Sequence, residues 1–230
     1  FKQKTAYEIP LRLVGSATCP ICQTVNPQEP AKDNGVYQIG TPSELLWLAG
    51  RVNGVSGNQD AVLTNDIDMT GVKWTPIGTK DSAFKGEFDG QGHFITSLTV
   101  SDTSLEYAGL FGYVTDHATI KNLGVFGEFS GGEYVGGIAG YSKESVISNC
   151  FFIGTVSGTN TNGIANGATI ENCYFQSDFT DINARTEKQF KSGEVAELLN
   201  MLPNGGTQEV WGQTIGADAY PVSYTHLTLP

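Results

Sequence analysis

Basic residues are scarce in this chain. Thirteen Lys and Arg stand against 24 Asp and Glu, a formal charge of −11. That balance opposes binding to a phosphate backbone or to an anionic membrane surface, so nucleic acid is not an expected partner. Long hydrophobic runs are also missing. No stretch reaches the roughly 18 apolar residues of a membrane span, and no charged-then-apolar signal segment opens the chain at Phe1. Histidines number three, and no His-Glu-x-x-His occurs. A zinc peptidase needs two histidines one helical turn apart beside a glutamate, so any such centre would lie outside this stretch. His93 and His117 fall in turn-like contexts. Cysteine gives one Cys-x-x-Cys, Cys19 and Cys22 in CPICQ, which is half a zinc site or a redox pair with no second pair to complete a tetrahedral set.

Glycine, by contrast, is abundant. Twenty-nine glycines without a collagen period point to many tight turns and close backbone approaches, which helical bundles do not need. With 39% hydrophobic and 16% charged residues, the chain has enough apolar material for a core.

Two stretches nearly repeat one another. AGLFGYVTDHATIKNLGVFGEFSG begins at Ala108 and GGIAGYSKESVISNCFFIGTVSG at Gly136. Gly109, Leu110, Gly112 and Tyr113 match Gly137, Ile138, Gly140 and Tyr141 at a shift of 28. Ile120, Asn122, Leu123, Val125 and Gly127 match Ile147, Asn149, Cys150, Phe152 and Gly154 at a shift of 27. A third, shortened copy continues with Gly163, Ile164 and Ala165, then Ile170, Asn172, Cys173 and Phe175 after 23 positions. A looser copy is read in GEFDGQGHFITSLTV, where Ile95, Leu98 and Val100 have the spacing of Ile120, Leu123 and Val125.

Within each copy the runs are short, alternating and turn-bounded, which is strand periodicity. A period in the twenties made of strands means a solenoid, because one coil cannot bury its own apolar positions and stacking does it for all. At the strand spacing of about 4.8 Å, Ile120, Ile147 and Ile170 are predicted to form one inner ladder. Gly109, Gly112, Gly137 and Gly140 are expected where the backbone turns or packs on the next coil. Asn122, Asn149 and Asn172 are expected to stack as an amide ladder and not to act in catalysis. The predicted fold class is all-β, a parallel, right-handed β-solenoid or β-helix with short helical capping elements.

The flanks have helical signals. TPSELLWLAGRVNG offers Thr41 as N-cap, Pro42 at the first helical position and Glu44 to close a capping box. Leu45, Leu48, Ala49 and Val52 follow at helical spacing, and Gly54 supplies a stop. TEKQFKSGEVAELLNMLPNGG predicts a second helical stretch, bent near Gly193, with Phe190, Val195, Leu198, Leu199 and Leu202 apolar. These helices are expected to cap or flank the solenoid, whose open strand ends need cover.

The chain resembles the GLUG-type β-solenoid repeats of bacterial secreted and surface proteins, including those found beside immunoglobulin-A-cleaving metallopeptidases. The resemblance covers most of residues 35–222, through GVYQIGTPSELLWLAGRVN, AVLTNDIDMTGVKWTPIGT, FKGEFDGQGHFITSLTV, AGLFGYV, GGIAGYS and WGQTIGADAYPV, and Gly109 to Gly112 is its clearest signature. It departs in the third coil, where NGIANG replaces the fuller glycine-aromatic pattern, so the solenoid is expected to end there. The resemblance implies an extracellular adhesive, presenting or spacer segment of a large bacterial protein, with no catalytic residue and no cofactor. Host glycans or host surface and matrix proteins are the partners to expect. The alternative is an accessory region of a larger secreted enzyme, a metallopeptidase or a carbohydrate-active one, with its active site elsewhere. In this family context Cys19 and Cys22 look like a degenerate zinc-ribbon remnant ahead of the solenoid.

Five segments are expected. Residues 1–34 form a linker or remnant of a preceding module, 35–82 an N-terminal strand-helix cap and first coil, 83–180 the repeats, and 181–221 a helical and strand C-terminal cap. The last nine, VSYTHLTLP at 222–230, back-translate to a sequence resembling a transposase-type sequencing adapter and are expected not to be biological, His226 included. With that ending and no initiator Met, the chain is read as an interior piece of a longer protein.

Few residues offer chemistry. Asp66, Asp68, Thr70 and Gly71 in DIDMTG match the first six positions of a calcium loop, but the twelfth is Ile77 and not a bidentate Glu. Aspartates bonded to their own turn are the favoured reading. Glu87 and Asp89 in GEFDG are the nearest paired carboxylates, a weak signal for glycoside hydrolysis. Lys121, Glu128, Glu133, Lys143, Glu144 and Glu171 are scattered over the coils as a solvated face. Cys150 and Cys173 share one rung position, either as buried apolar thiols or as a disulfide.

Overall fold

A computed structural model describes residues 25–177, 181–201 and 206–227. Cys19, Cys22 and Leu202 lie outside the described residues.

The alternating runs fold into strands that stack, coil over coil, into a β-solenoid with three faces. The first face is a seven-stranded sheet of Lys32–Asp33, Val36–Ile39, Ala61–Leu63, Glu87–Asp89, Thr119–Lys121, Val146–Ser148 and Thr169–Glu171. The second is six-stranded, from Ile67–Asp68 through Phe94–Ser101, Gly124–Ser130, Phe151–Ser157 and Tyr174–Gln176 to Ala184–Arg185. The third is split into two three-stranded sheets. Tyr107–Ala108, Tyr134–Gly136 and Asn160–Asn162 make one, and Phe111–Val114, Ala139–Ser142 and Ala165–Asn166 the other. Pairing between coils is parallel throughout these faces, and the first two strands close the beginning of the first face as an antiparallel hairpin.

Period dictates register, and register builds the core. Ile120 lies against Ile147, and Ile147 against Ile170. The same column extends backwards through Phe88, Ala61 and Tyr37. A second column on the next face runs Ile67, Ile95, Val125, Phe152, Phe175. Each of these except Ile170 and Phe175 is buried, and those two pack against the same cluster at the last rung.

The looser early copy is in a different register from the one its spacing suggests. Ile95 pairs with Val125, and the partner of Ile120 is Phe88. The corner between the two faces holds Gly90, Gln91, Gly92 and His93 in this coil, where the next coil has only Asn122 and Leu123. A bulge between Val125 and Gly127 shifts the register once more. Apolar residues alternate on both faces, so an insertion at the corner slides one face's pattern onto the other's without breaking the alternation.

Asn122, Asn149 and Asn172 sit at these corners with φ of 54°, 53° and 48°. Asn tolerates the left-handed conformation better than other residues with a side chain, so the backbone turn explains its recurrence. The amide ladder is partial. Asn172 donates to Asn149 at 3.4 Å, whereas Asn122 donates to Asp89 at 3.0 Å.

The helix Pro42–Gly54 occupies the connection between the first two rungs and buries Leu45, Leu48, Ala49 and Val52 in the solenoid core. Thr41 accepts from the Glu44 amide, while the Glu44 carboxylate reaches Gly40 N at 2.9 Å, one residue earlier than in a standard capping box. Helices Glu187–Lys191 and Glu194–Leu199 are separated by Gly193 at φ +85°. Phe190, Val195, Ala196, Leu199 and Trp211 pack with Phe151 and Tyr174 on the outer side of the second face. The C-terminal layer therefore flanks the solenoid by covering one face. Val222–Ser223 joins this layer by antiparallel pairing with Trp211–Gly212.

Candidate functional site

The third face is where the repeat puts aromatic rings outside. In Tyr107–Ala108 and Tyr134–Gly136, Ala108 and Val135 point into the core and the tyrosines are only half-buried. In the companion strands Phe111, Val114 and Ala139 are buried, and Tyr113 and Tyr141 are half-buried. Parallel register makes two columns of them, Tyr107, Tyr134, Asn160 and Tyr113, Tyr141, Asn166.

The coils stand close because glycine lines the seam. A β-carbon at Gly140 would lie 2.7 Å from Ala108 N, 2.9 Å from Tyr134 O and 3.0 Å from Gly112 O. The tyrosine rings close up in turn. Tyr107 and Tyr134 stack with centroids 5.7 Å apart and planes within 8°. Tyr107 meets Tyr113 edge-on at 5.0 Å, Tyr134 meets Tyr141 edge-on at 5.0 Å, and Tyr113 lies 5.4 Å from Tyr141. In the following coil the rings give way to Asn160 and Asn166, and Asn166 ties the edge down by donating to Gly140 O at 2.8 Å and Val135 O at 3.2 Å.

Carboxylates border the rings. The Tyr107 hydroxyl donates to Glu106, which also pairs with Lys80 at 3.6 Å. Burial first, and then the Glu106 carboxylate, push the Tyr107 hydroxyl well above the usual tyrosine range. For Tyr134 the Glu133 charge is the main cause, with burial behind it.

The residues singled out for chemistry are held by neighbours. Lys121 bridges Glu87 at 2.7 Å and Asp89 at 3.6 Å. Burial works against the Lys121 ammonium, but the hydrogen bond to Glu87 and the charge of Asp89 outweigh it and hold its pKa above the lysine norm. Asp89 also accepts from Gln91 N at 2.9 Å. Asp66 accepts from Phe94 N at 3.2 Å and contacts His93 Nδ1 at 3.0 Å. Asp68 accepts from Thr70 N at 3.0 Å and Thr70 Oγ1 at 2.7 Å, and these bonds outweigh burial to lower its pKa. Among the described residues no group of three or more His, Cys, Asp or Glu is placed to hold a metal ion. Cys150 and Cys173 are free and fully buried on adjacent rungs, with Cys150 N donating to Cys173 Sγ at 3.4 Å. Of the scattered outer charges, Glu133 alone joins the tyrosine face, and Lys143 pairs with its neighbour Glu144 at 3.8 Å.

Tyr113 and Tyr141 are legible in the sequence repeat, whereas Tyr107 and Tyr134 lie outside its matched positions. The available signal was the Glu-Tyr dipeptide at 106–107, which recurs at 133–134.

These features define a β-solenoid with buried apolar ladders and a tyrosine-bearing outer face. Residues 131–157 match the GLUG motif, and they span the strands that carry Tyr134 and Tyr141. The chain is thus a β-solenoid that carries a GLUG motif at residues 131–157. Among curated proteins it is 35% identical over 71 residues to a protein of Evansella cellulosilytica provisionally named a Gly-rich membrane protein, a match covering 31% of this chain and 8% of that one. It is 31% identical over 150 residues to Halomucin of Haloquadratum walsbyi, covering 58% of this chain and 2% of that one. The matched regions are small parts of both relatives. Among solved structures, one from Bacteroides ovatus, provisionally titled an immunoglobulin A1 protease, aligns over 84% of this chain and 93% of its own at 14% identity and a TM-score of 0.41, too loose a likeness to bear on activity. Among the described residues no helix is long and apolar enough to cross a membrane.

Proposed function

We propose that this region is a non-catalytic extracellular segment of a larger bacterial surface or secreted protein, serving to extend, present or adhere. The observation that carries this reading is the contrast between the two sets of polar groups. Glu87 and Asp89, the nearest pair for acid–base work, are both committed to Lys121, while the tyrosine columns keep half-exposed rings facing outward. A glycosidase needs two carboxyls free to flank a scissile bond, and here both are turned to one lysine. The names of the relatives, a Gly-rich membrane protein and Halomucin, agree with a surface setting.

The test is binding of the purified chain to an array of host glycans and matrix proteins, run beside a hydrolase screen. Selective, saturable binding without turnover is expected. Turnover abolished by Glu87→Gln or Asp89→Asn would overturn the reading and favour a solenoid enzyme.

A further inference from the structure

We propose that Tyr107, Tyr113, Tyr134 and Tyr141, with Glu106 and Glu133, form a platform for an uncharged polysaccharide. Its pyranose rings would lie across the tyrosines and its hydroxyls would donate to the two carboxylates. The inference rests on the binding-segment reading above and names the site and the ligand class.

Three observations select that class. The rings are in mutual contact, with centroids 5.0 to 6.1 Å apart, so no gap is left in which a cation could be encircled as in an aromatic cage. Tyr107 and Tyr134 are parallel to within 8° and Tyr113 and Tyr141 stand edge-on to them, so the rings offer a stepped outer surface, suited to the apolar face of a chair-shaped sugar ring. Next, the carboxylates at the margin, Glu106 and Glu133, are acceptors, with Glu106 shared with Lys80 at 3.6 Å. The Tyr107 hydroxyl already donates to Glu106, and an ionised carboxylate has further lone pairs to offer, so the ligand must bring donors, as a sugar's hydroxyls do. Finally, Glu106 and Glu133 sit within a chain of net charge −11, which disfavours uronic, sulfated or sialylated polymers. The columns repeat at the coil spacing and stop at Asn160 and Asn166, so the platform is two rungs long and fits a short stretch of polymer.

The experiment is native affinity electrophoresis of the 230-residue chain in gels carrying galactomannan, laminarin or mannan as neutral probes and polygalacturonate as the anionic one. An oligolysine peptide is titrated separately. Retardation by at least one neutral polysaccharide is expected. The double variant Tyr107→Ala, Tyr134→Ala should weaken it about tenfold or more, with circular dichroism unchanged, while Tyr107→Phe, Tyr134→Phe retains most of it. If the alanine pair does not fold, Glu106→Gln, Glu133→Gln decides, with weakening of about threefold expected. Retardation by none of the neutral polymers, or retardation indifferent to these variants, overturns the inference. Binding of polygalacturonate or oligolysine alone also overturns it, yet leaves the binding-segment reading standing. Release of new reducing ends, lost in Glu87→Gln, would instead sink the proposed function.

Discussion

Adding one methyl group separates this architecture from a looser one, and the sign of its effect should depend on where it is added. In the helix Pro42–Gly54, Gly50 is exposed, and a β-carbon there meets nothing within 4 Å. Gly50→Ala should stabilise by about 0.5–1 kcal/mol, because the unfolded chain loses freedom and the helix gains its best former. At Gly140 the same atom falls 2.7, 2.9 and 3.0 Å from three backbone atoms, against about 3.4 Å for ordinary contact. None of the three is a side-chain end that can swing away, so the coils must separate. Overpacking of this kind costs about 1–3 kcal/mol, and rigid backbone on all sides puts Gly140→Ala at the upper end. For a chain of this length, about 3 kcal/mol lowers the melting temperature by roughly 6–12 °C. Thermal and urea unfolding followed by far-ultraviolet circular dichroism would measure both variants. Equal melting temperatures for Gly140→Ala and the parent would refute the close stacking of coils.

Three further outcomes follow from named contacts. Asn149 holds φ of 53°, so Asn149→Ala should cost about 1–2 kcal/mol and Asn149→Gly distinctly less, and equal losses in urea melts would point to the side chain and not the backbone. Cys150 and Cys173 are free, and burial pushes the Cys150 thiol well up, so neither should be alkylated until the chain is unfolded, whereupon both react without reductant; a mass gain that requires reduction would reveal a disulfide instead. Tyr107 and Tyr134 ionise above the ordinary value of 10.0 in the folded chain, so the neutral form is favoured by folding; the stability this gives is fully present below pH 10 and is lost as pH rises further. Glu106→Gln should bring the Tyr107 ionisation down in an ultraviolet absorbance titration, and an unchanged curve would contradict the role of Glu106.

The sequence states a ladder more readily than it states a face. Ile120, Ile147 and Ile170 declare their register because each copy repeats the same apolar-Asn-apolar string, and the structure stacks them as read. Phe88 and Ile95 do not, since an alternating pattern fits either face and only the length of the Gly90–His93 corner distinguishes them. The N-cap of the first helix was readable from Thr41, Pro42 and Glu44 alone because capping is local. The tyrosine platform was not, because Tyr107 and Tyr113 become neighbours of Tyr134 and Tyr141 only after the coil closes. Likewise Phe126 and Phe151 read as ordinary strand hydrophobics, although they face outward, beneath Tyr220 and Trp211 of the C-terminal layer.

Copies of the repeat lying side by side in parallel register build both the core columns and the tyrosine face. Nuclear Overhauser contacts in solution test this directly. Parallel stacking predicts ring-to-ring contacts between Tyr107 and Tyr134 and between Tyr113 and Tyr141, with cross-strand contacts from Ala108 to Val135 and from Ile120 to Ile147. Antiparallel contacts between consecutive strands, with those tyrosine pairs far apart, would contradict it.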